Sequence, residues 1–435
     1  VVLLEMSKEP WVPGEGYIGV PKHLKNIPVK QLNRFADWSE ELSEEPVREI
    51  SIAGALAFGS VLCGRRYISC NSNTTALQLA VIAPTGGGKN FIKQAIQMAL
   101  FESGQKHLVG GGNYTSEAAI RSMLMQSPTK VSIIDEFGDK LRAATKAKES
   151  QQERAFEALK EIYSDADGLW MKNEYSAFNK SDSQIEQQNS SDIHCPSLTV
   201  IGLSTKGQMM DALNDSHIEG GYVNRMVFVD ASNEGFRERN KINKSVPGWI
   251  PKFCEQVRGI SSESYKEKPE WIDVNFEDDV HKKFSSLKKD IRSKFGSDDT
   301  TFSLTRRWRE NAMRISTMLA ACDNPKHPYV TMEIAEWAID YVCFHGERFI
   351  SLVSNNRPAS LFERNKNAFL NALRAAGQNG ISLTRMGRIA PFRAFKSREK
   401  MEILKELAID DLAYSVVDRE STARKKPVTW YATRN

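Results

Sequence analysis

The sequence predicts an α/β fold around a largely parallel sheet, continued by a helical block and a small C-terminal domain. Three observations predict it. Short apolar runs alternate with helix-like segments through the first half of the chain, the pattern of strands buried on both faces. One such run, "ALQLAVIA" (Ala76 to Ala83), leads into "PTGGGKN" and then a helix. Another, "KVSIIDEFG" (Lys130 to Gly138), ends in two adjacent carboxylates, Asp135 and Glu136.

Taken in order, residues 1–75 read as an arm and a helical lead-in. Prolines and short polar runs fill Trp11 to Asp37, and "EEPVREISIAGALAFGSVLCG" is the stronger of two helical patterns. Its Ala, Gly and Ser content suits a helix packed closely inside protein, and "ISIAGALAFGSVLCG" is too short for the ~20 residues of a membrane span. Residues 76–235 form the predicted α/β core, with strands at Ala76 to Ala83, Lys130 to Gly138, "SLTVIGLS" (Ser197 to Ser204) and "RMVFVD" (Arg225 to Asp230). "KAKESQQER" (Lys146 to Arg154) and "NKSDSQIEQQNSSD" (Asn179 to Asp192) read as exposed loops. Between 236 and 355 helical periodicity replaces the β signal, clearest in "RRWRENAMRISTMLAACD". After the linker "SNNRPAS", residues 361–435 read as three helices and a hairpin with a basic tip, a winged-helix pattern.

Composition narrows the function classes. A chain of 435 residues exceeds one ordinary core, so two or three domains are expected. With 59 Lys and Arg against 55 Asp and Glu the net charge is only +4, so a polyanion would meet local basic patches and not a uniformly positive surface. Six cysteines are scattered without a C-x-x-C pair or a histidine at zinc spacing, which favours reduced thiols over a metal site. No signal peptide is visible, so a cytoplasmic location is expected. The chain opens Val1-Val2, not Met, and so reads as a piece of a longer protein.

The glycine-rich stretch approaches the phosphate-loop pattern G-x-x-x-x-G-K-[ST], with Ala83 at the first glycine and Asn90 at the hydroxyl position. Such loops work because successive backbone N–H groups converge on phosphates at the positive end of a helix. Pro84, Thr85, Gly86, Gly87, Gly88, Lys89 and Asn90 are the predicted nucleotide contacts, with Lys89 reaching the β and γ phosphates. Asn90 lacks a hydroxyl, but its amide oxygen is a hard neutral donor that magnesium accepts directly or through water. Asp135 is the expected partner of Mg²⁺, and Glu136 the base that polarises the attacking water. Together these residues predict an ATP-hydrolysing site. Ser204, at the end of the third strand, could orient that water. Arg225, between a glycine turn and a strand in "EGGYVNRMVFVD", could neutralise charge on a transferring phosphate or form a surface ion pair.

With these residues in place the chain resembles the AAA+ replicative helicase domains of phages, plasmids and integrated mobile elements. These often follow a primase domain and are related in plan to superfamily 3 and minichromosome maintenance helicases. "APTGGGKN" is similar to Walker A, "IIDE" to Walker B, "VIGLST" to sensor 1 and "YVNRM" to the arginine-finger motif, over about Trp11 to Val353. "RRWRENAMRI" resembles the lid helix that brings a sensor 2 arginine, which gives Arg307 that role, with Arg314 a few residues on. The resemblance implies a P-loop AAA+ core, a helical lid, a hexameric ring with ATP at subunit interfaces, and single-stranded DNA through its centre. It also implies the bacterial cytoplasm or nucleoid and other replication proteins, such as a primase, as partners.

Two segments are nucleic-acid candidates on their own chemistry. "GLWMKNEYSAFNK" interleaves Trp170, Lys172, Tyr175 and Lys180, suited to stacking and phosphate contact or, equally, to packing on the core. In the last block Arg388, Arg393, Lys396, Arg424, Lys425 and Lys426 could track a duplex backbone, though a winged helix also serves as a protein-docking module. Three functions therefore compete: a DNA helicase, an ATP-controlled DNA-binding initiator or regulator that unwinds nothing, and a AAA+ remodeller of protein.

Overall fold

The computed structural model describes residues 20–84, 89–146, 151–172, 191–213, 221–231, 242–259, 263–296, 299–356, 361–417 and 427–433. The chain divides into two compact units, Val1–Ser351 and Leu352–Asn435. Strands of the first unit are β1 (Tyr67–Ser69), β2 (Gln78–Ile82), β3 (Thr129–Ile134), β4 (Leu169–Trp170), β5 (Ile193–His194), β6 (Ser197–Ser204), β7 (Val227–Asp230), β8 (Ile272–Phe276) and β9 (Tyr329–Val330).

The centre of this unit is a four-stranded parallel sheet in the order β3-β6-β2-β7. Every residue of the four strands is buried, which is why they read as continuous apolar runs without alternation. Val109 bridges Val131 in parallel and extends the sheet past β3. Helix Arg48–Cys63 packs against all four strands. Two glycines permit its close approach to neighbouring helices. A Cβ on Gly54 would lie 2.2 Å from Ile92, and one on Gly59 2.6 Å from the Met318 sulfur.

Helices Phe137–Lys146 and Gln151–Ser164 also pack on β6, where the Phe137 ring lies against Gly202. The second of these begins inside a stretch that reads as a loop, because "QQER" supplies exposed helical positions ahead of the apolar face Ala155, Ala158, Leu159 and Ile162. Helix Trp308–Asp323, in the predicted lid block, packs against helix Arg48–Cys63 and β1. Lead-in, core and lid residues thus share one compact unit.

A second parallel sheet, β1-β8-β9, joins a strand of the predicted helical lead-in to two strands from the block where the β signal was expected to fade. These strands are short and pair Tyr67 with Ile272 across some 200 residues, so no local pattern announces them.

The second unit contains helices Leu361–Ala376, Leu383–Met386 and Ser397–Ile409 with β10 (Ile381–Ser382), β11 (Ala413–Val417) and β12 (Val428–Ala432). The strands form an antiparallel sheet in the order β10-β12-β11. Its core gathers Phe369, Leu373, Phe392, Leu404, Leu407 and Trp430. Gly380, at φ +55, turns the chain into β10, where a Cβ would meet the Tyr431 ring at 2.6 Å. No helix among the described residues is long and apolar enough to cross a membrane.

Candidate active site

Strand register brings the ends of β2, β3 and β6, with Pro84, Asp135, Glu136 and Ser204, to one edge of the parallel sheet. Ile82 pairs with Ser204 on one side and Asp230 on the other, and Ile134 pairs with Gly202. The segments that follow β2, β3 and β6 therefore emerge together at the carboxyl ends of the strands, where open α/β sheets bind ligands. Ala83 N–H donates to the Ser204 carbonyl at 3.0 Å, and Ala231 N–H to that of Ile82 at 2.8 Å.

Pro84 is exposed at this edge. Thr85, Gly86, Gly87 and Gly88 lie outside the described residues. Lys89 is half-buried and leads into helix Asn90–Glu102, which has no acidic residue in its first turn and, among the described residues, no side-chain cap. Burial lowers the Lys89 pKa, and the charges of Asp135 and then Glu136 oppose that shift, so the ammonium feels both carboxylates. Asn90, Asp135 and Glu136 are exposed.

Glu136 adopts the left-handed conformation, φ +52, and its N–H donates to Asp135 Oδ1 at 2.9 Å. Such a conformation costs on the order of 1–3 kcal/mol and persists only where its surroundings hold it. They do so through Gly138, whose N–H donates to Ser204 Oγ at 3.3 Å and whose Cβ, if present, would lie 2.6 Å from the Gln208 backbone. Gln208 in turn donates to Asp139 Oδ2 at 2.6 Å. Gly138, Asp139 and Gln208 are site residues that sequence reasoning missed, since they join positions some 70 apart without a local signal.

Ser204 departs from its expected role. Its side chain is fully buried, donates to the Thr205 carbonyl at 3.2 Å and accepts from Gly138. The hydroxyl proton is engaged within the chain, and Ser204 ties the loop after Glu136 to the end of β6.

Arg225 lies at the opposite edge of the sheet. Val227 pairs with Leu79, so Arg225 stands near the level of Leu77, seven residues of strand from Pro84. At about 3.3 Å per residue that is roughly 20 Å, beyond an arginine's reach. Its guanidinium donates to the Gly221 carbonyl at 2.6 Å and to Ser164 Oγ at 3.1 Å. Burial lowers its pKa first and the Arg307 charge second. Arg307 thus belongs beside Arg225. Burial works against the Arg307 charge, but Glu310, its ion-pair partner, holds its pKa above the ordinary value. Arg314 is a buried staple. It stacks 3.9 Å from the Tyr163 ring and donates to Thr74, to the carbonyls of Ala76 and Tyr163, and to Glu310.

The arginine found near the carboxyl edge is one the sequence reading passed over. Arg348, on helix Met332–Asn356, pairs at 3.7 Å with Asp230, the register partner of Ile82.

Trp170 is corrected from a DNA-stacking residue to a core residue. It is 2% exposed, its indole N–H donates to Glu161, and Arg121 lies 3.7 Å over its ring. Lys172 is half-buried, with its backbone N–H on Asp192. Lys180, Tyr175, Arg424, Lys425 and Lys426 lie outside the described residues. In the second unit Arg388, Arg393 and Lys396 are exposed, as are the apolar Tyr414, Val416 and Val417 of β11. Among the described residues no three His, Cys, Asp or Glu converge as a metal site. Compared with known protein families and with curated proteins, the chain matches none.

Proposed function

We propose that this chain is a P-loop ATPase of AAA+ type that acts as a ring-shaped DNA helicase. The observation that carries the reading is the convergence of Lys89, Asp135 and Glu136 at the carboxyl edge of a parallel sheet, beside the start of helix Asn90–Glu102. A magnesium–nucleotide site needs few protein ligands, because phosphates and water fill most of its coordination. Exposed oxygen donors on Asp135 and Asn90 fit that demand. Bound magnesium would offset phosphate charge during transfer.

This chain's own residues then divide the work. Lys89 balances charge on the β and γ phosphates. Glu136, held in its left-handed turn by Gly138 and Ser204, takes a proton from water as that oxygen bonds to the γ phosphorus and ADP leaves. Arg225 and Arg307, remote from their own chain's loop, act on the nucleotide of a neighbouring subunit. The two arginines support a ring, probed by dependence of the rate on protein concentration. In the second unit, three helices with a three-stranded antiparallel sheet support the winged-helix reading, with Arg388, Arg393 and Lys396 facing DNA.

Burial of Trp170 removes one DNA contact from the first unit and favours, as the second reading, an ATP-controlled DNA-binding initiator. Exposed Tyr414 and Val416 would suit protein docking by the same second unit. Phosphate release with and without single-stranded DNA, beside unwinding of a labelled fork, tests these readings together. DNA-stimulated ATPase with strand separation supports the helicase. Stimulation without separation supports the initiator, and an ATPase indifferent to DNA points to a protein remodeller.

A further inference from the structure

A cavity of about 470 Å³ opens among helices Asp278–Phe295, Asp299–Thr305 and Trp308–Asp323. Its lining includes Lys288, Arg292, Arg306, Arg307 and Arg309 beside Phe302, with no carboxylate among the described residues. The local sequence explains the concentration. Lys288 and Arg292 stand four residues apart on one helical face, where like charges repel. "TRRWRE" places three arginines within four positions at a helix start. The guanidinium of Arg309 is fixed by donation from Nε to the Phe284 carbonyl at 2.9 Å, and Arg306 lies 5.7 Å from the Phe302 ring. Glu310 is spent on Arg307 and Arg314. Among the described residues, no ion pair involves Lys288, Arg292 or Arg306.

With only Arg307 paired among the described residues, this many cations around a concave space are unfavourable, and a bound anion relieves them. Guanidinium forks match phosphate oxygens two at a time. The volume falls in the range of roughly 300–1,000 Å³ that takes small ligands, and an aromatic ring in the wall offers a face for a base. We infer that this cavity binds a phosphate-bearing nucleotide unit, supplied either by a free nucleotide or by a nucleic-acid strand. The cavity shares Arg307 with the proposed ATPase, but the inference rests on its other cations and would stand if that ATPase did not.

The test compares the full chain with an Arg292→Gln/Arg306→Gln variant, using a fluorescent ADP and a fluorescent oligothymidylate as probes across a salt titration. Neither residue belongs to the proposed catalytic set. Affinity for at least one probe should fall about ten-fold. If the strand is the source, the salt slope should also flatten by roughly 1.4, at about 0.7 for each of two lost single-strand phosphate contacts. Loss confined to the oligonucleotide assigns the site to a strand, and loss confined to ADP assigns it to a free nucleotide. Loss of both means one site serves either. Arg292→Lys/Arg306→Lys should restore part of the binding. Unchanged affinity for both probes would overturn the inference. So would a loss that the lysine pair leaves unrepaired, since charge would then not be its cause.

Discussion

Replacing Arg225 by alanine tests chemistry and assembly in one experiment. Among the described residues the side chain makes two hydrogen bonds, to the Gly221 carbonyl and to Ser164 Oγ. At about 0.5–1.5 kcal/mol each, their loss should cost folding stability of roughly 1–3 kcal/mol. An arginine that neutralises a transferring phosphate is worth about 10³–10⁵ in rate, or roughly 4–7 kcal/mol of barrier. The two magnitudes separate the structural role from the catalytic one. Ser164→Ala removes one of the bonds and should cost about 1 kcal/mol of stability while leaving the ATPase rate within two-fold or so. Arg225→Ala should bind a fluorescent ATP analogue normally, yet hydrolyse ATP at a small fraction of the wild-type rate. Mixing it with a Lys89→Ala variant should restore activity above both parents, because some interfaces then join an intact Lys89 to an intact Arg225. The rate per chain should rise with protein concentration. A full ATPase rate that ignores both dilution and Arg225→Ala would refute the argument and leave Arg225 a structural residue.

Other outcomes are as definite. Lys89→Ala should abolish turnover, whereas Glu136→Gln should keep nucleotide binding and lose hydrolysis; wild-type turnover by the Glu136 variant would remove it as the base. Gly138→Ala should depress the ATPase rate more than nucleotide affinity, since the added methyl must displace the Gln208 backbone or Ser204 and shift Glu136; kinetics indistinguishable from wild type would remove that dependence. Trp170→Phe should lower stability by about 1 kcal/mol, through the lost bond to Glu161, and leave oligonucleotide affinity unchanged; weaker DNA binding in a protein of native stability would restore Trp170 as a contact. His345 is buried beside Tyr341 and Phe344, and burial, then the Arg348 charge, push its pKa down to about 3. The folded state holds this ring neutral while the unfolded chain protonates it below about 6.5, so stability is full above that pH and falls as pH drops towards 3. At pH 5 the loss is about 2 kcal/mol, and denaturant melts of His345→Gln should lack that part of the slope.

What the sequence determined by itself was whatever depends on neighbours along the chain. Runs such as "QLAVI" and "SLTVIGLS" are apolar at every position because both faces of the sheet are covered, so the four central strands and their parallel character were legible without coordinates. The helix that follows the glycine-rich stretch, and the buried strand ahead of two carboxylates, were legible for the same reason. Only the tertiary structure decided what crosses long separations. It set β6 between β2 and β3 and engaged the Ser204 hydroxyl at Gly138, where its place at a strand end had suggested a group that orients water. It turned Trp170 inward, because aromatic and basic residues in a loop look alike whether they meet solvent or a buried Arg121. It carried Arg225 and Arg307 to the edge away from Lys89 and brought Arg348 towards it, since strand direction and helix packing, not spacing, decide where a charge ends up. β1, β8 and β9 belong with these. Strands of two to five residues gain their stability from partners far away in sequence, and the chain carries no local record of that pairing.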